Sequence, residues 1–170
     1  MRPSRLPVLA AALAVPAAAQ GAELAVGVEI PRLSVAEYHR PYVALWIETP
    51  DQAAVKTLAV WYDVRAKNDK GANWLKDLRQ WWRRAGRSQS LADGIAGPTR
   101  APGRHQLTFA AAAIGDLAPG SYNLVVEAAR EVGGREVVRT PFAWPAGGRG
   151  GSVSARGAEE LGEITVAVRP

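Results

Sequence analysis

Apolar and polar residues alternate along much of the chain, with one interruption. "AELAVGVEIPRL" (22–33) places Leu24, Val26 and Val28 on one side, the period-two signature of a half-buried strand. "PYVALWIET" (41–49) is a nearly continuous run of β-branched and aromatic residues and predicts a strand. "KTLAVWYDV" (56–64) predicts the next, after a turn at Pro50-Asp51. The two form an expected antiparallel pair, with Trp46 and Trp61 feeding the core. "HQLTFAAAAI" (105–114) begins as a strand. "LAPGSYNLVVEAARE" (117–131) and "REVVRTPFAW" (135–144) predict a hairpin across Gly133-Gly134. "GEITVAVRP" (162–170) predicts a closing strand. The Gly-rich "PAGGRGGSVSARGAEE" (145–160) reads as a mobile loop carrying a solvated Glu159-Glu160 pair.

The interruption is "ANWLKDLRQWWRRAG" (72–86). Trp74, Leu75, Leu78, Trp81 and Trp82 recur at helical spacing, with Asn73 as N-cap and Gly86 as stop. The pattern predicts one amphipathic helix with all five residues on its apolar face. Its polar face and the following segment carry Lys76, Arg79, Arg83, Arg84, Arg87, Arg100 and Arg104, a basic surface suited to docking. About seven short strands with turns between them predict a mainly β chain, an antiparallel β-sandwich with one inserted helix. The segment "LAPGSY" adds detail. Leu117, Pro119, Gly120 and Tyr122 resemble the tyrosine corner of immunoglobulin and fibronectin III-like sandwiches, whose Tyr hydroxyl bonds back to preceding backbone.

Composition narrows the setting. The chain has 170 residues, 48% apolar and 22% charged, which is ordinary for a globular domain. The N-terminus, "MRPSRLPVLAAALAVPAAAQ", has a basic start, an apolar run from Leu6 to Val15 and small residues at Ala17, Ala18 and Ala19. This is the pattern of a secretory signal peptide over 1–19, with residues 20–170 forming one domain whose helix and loop insertion spans about 72–105. Export and a GC-rich composition of Ala and Arg point to the periplasm. No later apolar run spans a bilayer, so the exported chain is not expected to be membrane-spanning. Net charge is +5 and falls to +3 without Arg2 and Arg5. The charge is too mild, and the compartment wrong, for nucleic-acid binding.

The chain has no Cys and only two His, His39 and His105. Cys-based redox, thiolate metal sites and Cys nucleophiles are therefore excluded. No P-loop, dinucleotide fingerprint or GxSxG is present. Nothing places a nucleophile and a base together, so a hydrolytic enzyme has little support.

One loop remains, "SLADGIAGPTRAPGRH" (90–105). Within it, Asp93, Gly94, Gly97 and Thr99 stand at the spacing of the flavinylation motif recognised by FAD:protein FMN transferase. That motif runs Asp-Gly-any-Ser/Thr-Gly-Ala/Ser-Thr. Ala96 and Pro98 depart from it. The resemblance implies FMN esterified through its phosphate to Thr99. Arg100 and Arg104 lie close enough in sequence to offset the phosphodiester charge. Over the whole exported chain, the sequence also resembles the domain-of-unknown-function 2271 family of predicted periplasmic proteins. There Thr99, Arg100, Pro102 and Gly103 correspond to a Gly-Thr segment followed by Arg-x-Pro-Gly. That resemblance implies a neighbouring transferase and a PepSY-type inner-membrane redox partner. The expected function is a covalent-FMN electron carrier rather than a stand-alone enzyme. The alternative is a non-redox binding or assembly module that presents the 86–105 loop.

Overall fold

The computed structural model describes residues 22–91, 94–115, 117–144 and 150–169. The expected signal peptide and Asp93 lie outside the described residues. Nine strands are described: β1 (Glu23–Ile30), β2 (Tyr42–Glu48), β3 (Ala54–Tyr62), β4 (Ala96–Pro98), β5 (Gly103–Ala110), β6 (Gly120–Ala129), β7 (Arg135–Trp144), β8 (Gly151–Arg156) and β9 (Glu163–Arg169). They form a four-stranded sheet in the order β5-β1-β9-β8 and a five-stranded sheet in the order β4-β3-β2-β6-β7. All pairs are antiparallel except β3 with β4. The chain is mainly β, and the expected β2–β3 pair and β6–β7 hairpin are present.

Strand periodicity sends alternate side chains into two separate apolar layers. Leu24, Val26, Val28, Leu45, Trp61, Leu124, Val126, Ile164 and Val166 fill the space between the sheets. Ala44, Trp46, Val60 and Val125 face the other way and pack with Leu75, Leu78 and Trp81. Strand β2 is buried on both faces, which is why it reads as a continuous apolar run. Trp46 and Trp61 are both buried, as expected, but on opposite faces of their sheet.

The expected regular helix over 72–86 is corrected. Residues Lys67–Asp77 form 3-10 turns, interrupted by left-handed Asn68 and Asp69. Leu78 (ψ 70°) breaks the run, and a single α turn, α1 (Arg79–Trp81), leads into a π turn at Trp82–Gly86. Asn73 caps nothing, because the helical turns begin before it. Leu75, Leu78 and Trp81, spaced three apart across this broken run, fall in line and are buried. Trp74 is rotated off that line and is 57% exposed. The first turn of α1 takes its cap from across the sheet. The buried Glu127 carboxylate accepts the Gln80 N–H (3.1 Å) and the Trp81 N–H (2.8 Å).

Two further expectations are corrected. Within 145–160, Gly151–Arg156 is strand β8, paired with β9 along its whole length. Its side chains are mostly exposed, so backbone hydrogen bonds hold it where apolar periodicity gave no signal. Glu160 is not solvated. It is buried and forms a two-pronged pair with Arg130 (2.8 and 3.0 Å). Trp144 is buried and, as expected, the Tyr122 hydroxyl donates back to the Ala118 carbonyl (2.8 Å).

Glu136 organises the turn before β9. Its carboxylate accepts N–H bonds from Ala158 (2.6 Å), Glu159 (3.1 Å), Glu160 (2.9 Å) and Leu161 (2.9 Å). Burial pushes its pKa up, but these four bonds outweigh burial and hold it below the ordinary 4.5. A carboxyl depressed on folding stabilises the protein above its unfolded pKa, and that stability is lost as pH falls through the folded value. Thermal melts from pH 7 down to pH 3 should therefore show a smaller acid-induced drop in Tm for Glu136→Gln, from a lower starting point. An equal drop in both proteins would remove Glu136 as a source of acid sensitivity.

Candidate functional site

The candidate loop is not a free loop throughout. Ala96–Pro98 forms β4 at the edge of the five-stranded sheet, pairing in parallel with Val60, Trp61 and Tyr62. Val60 N–H donates to Ile95 O (2.8 Å), and Thr99 N–H donates to Tyr62 O (3.1 Å). Residues 95, 97 and 99 thus turn their backbone groups toward β3. Those of Ala96 and Pro98 point outward along the open edge. Proline lacks an N–H, and at this position no ladder bond requires one.

The two motif glycines have different structural standing. Gly94 has φ +91°, where an L side chain is strained, so the turn into β4 requires it. Gly97 does not need to be glycine for the fold. A Cβ there would meet only Trp61 Cδ1 at 3.6 Å, an ordinary contact. Thr99 follows β4 directly and is half-buried, while Pro98 and Arg100 on either side are exposed.

After Thr99 the chain crosses from one sheet to the other, because β5 is the edge strand of the four-stranded sheet. This crossing wraps the rim of Trp61. The Arg100 guanidinium sits over the indole, 5.2 Å from its centroid, and the His105 ring meets it edge-on at 5.7 Å. His105 Nε2 lies 2.8 Å from the Ala101 carbonyl. Among the described residues, Arg100 pairs with no carboxylate, whereas Arg104 bonds Glu163 (2.8 Å) and lies 3.9 Å from Glu29. Of the two expected charge partners for Thr99, Arg100 is therefore the available one.

The expected basic surface divides similarly. Arg84 is drawn inward, bonding Glu48 (3.2 Å) and the Gln52 carbonyl and side chain. Lys76, Arg79, Arg83 and Arg87 remain exposed. His39 is a surface residue beside Glu37 (2.8 Å) and Glu131 (3.5 Å). Among the described residues, no group of three or more acidic or His side chains is placed to hold a metal. No helix among them is long and apolar enough to cross a membrane.

Sequence reasoning missed one feature at the same end of this sheet. A groove of about 470 Å³ opens between the 74–79 turns and the β6–β7 hairpin tip. Tyr42 forms a wall, and the exposed Trp74 and Val132 flank it. Val132, 74% exposed, holds φ +52°, a strained conformation for a β-branched residue. The signal for the groove was Trp74, which no single helical period keeps in line with both Leu75 and Trp81.

No curated protein and no solved structure matches the chain. One family model does, over residues 23–163, which takes in β1 to β8, the helical turns and the Thr99 crossing. The chain therefore belongs to the family described as predicted periplasmic protein (DUF2271).

Proposed function

We propose that this periplasmic chain is an electron carrier with FMN attached covalently through Thr99, built on an immunoglobulin/fibronectin III-like sandwich. The observation that carries the reading is the spacing of Asp93, Gly94, Gly97 and Thr99 in an exported, cysteine-free chain. Three local features support it. Gly97 is a glycine the fold does not demand, so its small size suits entry of the strand into a modifying enzyme. Thr99 sits on an open edge, held by a single backbone bond to Tyr62. Arg100, which pairs with no carboxylate among the described residues, follows it directly with a guanidinium suited to a phosphodiester. Ala96 and Pro98 are the departures from the motif, and both lie where their backbone faces outward.

A threonine hydroxyl is a weak nucleophile without a base. The base and the FAD come from the transferase. Thr99 Oγ forms a bond to the FMN-side phosphorus, the pyrophosphate P–O bond breaks, and AMP leaves with that electron pair. The hydroxyl proton passes to the transferase's base. Once attached, FMN supplies the electron-accepting and electron-donating chemistry. The chain supplies the anchor, and Lys76, Arg79, Arg83 and Arg87 supply a cationic face for a PepSY-type membrane partner.

The test is co-expression of the chain with a FAD:protein FMN transferase, followed by intact mass and flavin fluorescence on a denaturing gel. Wild type should gain one FMN, and Thr99→Ala should lose it completely. Arg100→Ala should lower the modified fraction several-fold. An unmodified wild type, or a signal that survives Thr99→Ala, rejects the carrier and leaves a non-redox module presenting the 86–105 segment.

A further inference from the structure

We infer that the Trp74 groove is the seat of a planar heteroaromatic ring, and that its occupant is the isoalloxazine of the flavin tethered at Thr99. This inference rests on the FMN reading and adds where the ring goes. Two cavities are described. One is smaller, lies along Ala54–Thr57 at the start of β3, and reaches the Thr99 segment only at Ile95. The other is the Trp74 groove, at the Thr99 end.

Strand register gives the spacing from the β4 edge to this groove, which lies on the sheet face opposite Trp61, so a tether from Thr99 reaches it round the open edge. Pro98 pairs with Tyr62, Tyr42 pairs with Ala129, and Ala129 pairs with Arg135. Val43 opposite Trp61 places Tyr42 opposite Tyr62. These five residues occupy one row across the sheet. At about 4.8 Å per strand, Tyr42 lies roughly 10 Å from the β4 column. A phosphate and an extended ribityl chain cover on the order of 10 Å at about 1.5 Å per single bond before the ring begins. The Tyr62 and Tyr42 rings meet edge-on at 6.3 Å, and Tyr42 is the near wall of the groove.

The lining matches that ring's two ends. Trp74, Tyr42 and Val132 offer apolar and aromatic surface, which suits a dimethylbenzene edge and face-to-face stacking. Arg79 and Arg135 lie at the polar side, beside Asp77 and Glu131, and their guanidinium N–H groups are the donors that ring carbonyls need. A groove of about 470 Å³ is of small-molecule size. A large exposed indole and a strained exposed valine, facing one groove, have no packing role that explains them.

The experiment uses the full chain co-expressed with the transferase, in wild type, Trp74→Ala and Val132→Asp. Far-UV circular dichroism and thermal melts check folding. With Trp74 and Val132 both exposed, both variants should fold. Intact mass should show equal FMN loading in all three. Native wild type should show flavin fluorescence quenched several-fold relative to the same sample unfolded, with an induced visible dichroism band. Trp74→Ala should recover most of the fluorescence and lose the band, and Val132→Asp should weaken both effects. Full loading with free-FMN-like fluorescence, or quenching indifferent to both substitutions, overturns the seat and leaves the carrier standing. An unloaded wild type overturns both.

Discussion

Replacing Arg84 and Arg139 together with alanine should destabilise the protein by about 3–5 kcal/mol, the cost of leaving a buried carboxylate without a partner. Glu48 is fully buried on the outer face of the five-stranded sheet. One oxygen accepts from Arg139 (2.7 Å), and the other from Arg84 (3.2 Å) and the Trp46 indole (3.4 Å). Each arginine has a second anchor, Arg139 on Gln80 and Arg84 on Gln52. Either alone keeps Glu48 compensated, so each single variant should cost only about 1.5 kcal/mol, the low end for a hydrogen bond to a charged group. The double variant should then exceed the sum of the singles. Adding Glu48→Gln to the double variant should recover most of the loss, since the uncompensated charge is gone. Urea unfolding with a constant m-value checks all four proteins. Strict additivity, or no rescue by Glu48→Gln, would show that Glu48 does not depend on these partners.

The second large effect is at Trp81. Trp81→Ala should cost about 3–5 kcal/mol, in the range for emptying a buried aromatic site. Trp81 is 1% exposed, its indole N–H donates to buried Thr57 (3.1 Å), and its ring stacks at a tilt on Trp82 at 6.2 Å. Gly86 closes directly over both indoles, leaving a Cβ only 2.8 Å from each. Trp81 also joins the helical turns to β6 through its backbone bond to Glu127. The loss should be uneven. Hydrogen exchange should show residues 67–86 opening well before the strands of the inter-sheet core. A uniform loss of protection would mean that the turns and the sheet unfold as one unit.

The parts of this fold that were legible in the sequence are those where burial writes a period. β1, β2, β3, β6 and β9 each bury alternate or successive apolar residues, and the sequence shows it. The helical segment was legible as helical and misread in pitch. Leu75 and Leu78 satisfy a spacing of three as well as of 3.6, and only the destination of Trp74 distinguishes the two. β4 and β8 were not legible, because β4 is three residues long and β8 is held by its backbone. The buried acids were also out of reach. Glu48 finds Arg139 across 91 positions and Glu160 finds Arg130 across 30, separations that no local pattern encodes. Thr99 was legible as a candidate from spacing alone. Its edge position, and the pairing of Arg104 but not Arg100 with described carboxylates, came only with the fold.

The outward-facing Pro98 has a consequence for the molecule's solubility. An unpaired strand edge is a template on which another chain can add its own strand, the first step toward aggregation. β4 is such an edge, and its Gly97 offers no side chain to obstruct an approaching backbone. Pro98 withdraws a donor from the side a newcomer would bond, and its ring stands in the way. Pro98, one of two departures from the proposed flavinylation motif, therefore guards the chain against self-association, and an alanine there would bring the segment closer to that motif at the expense of the guard.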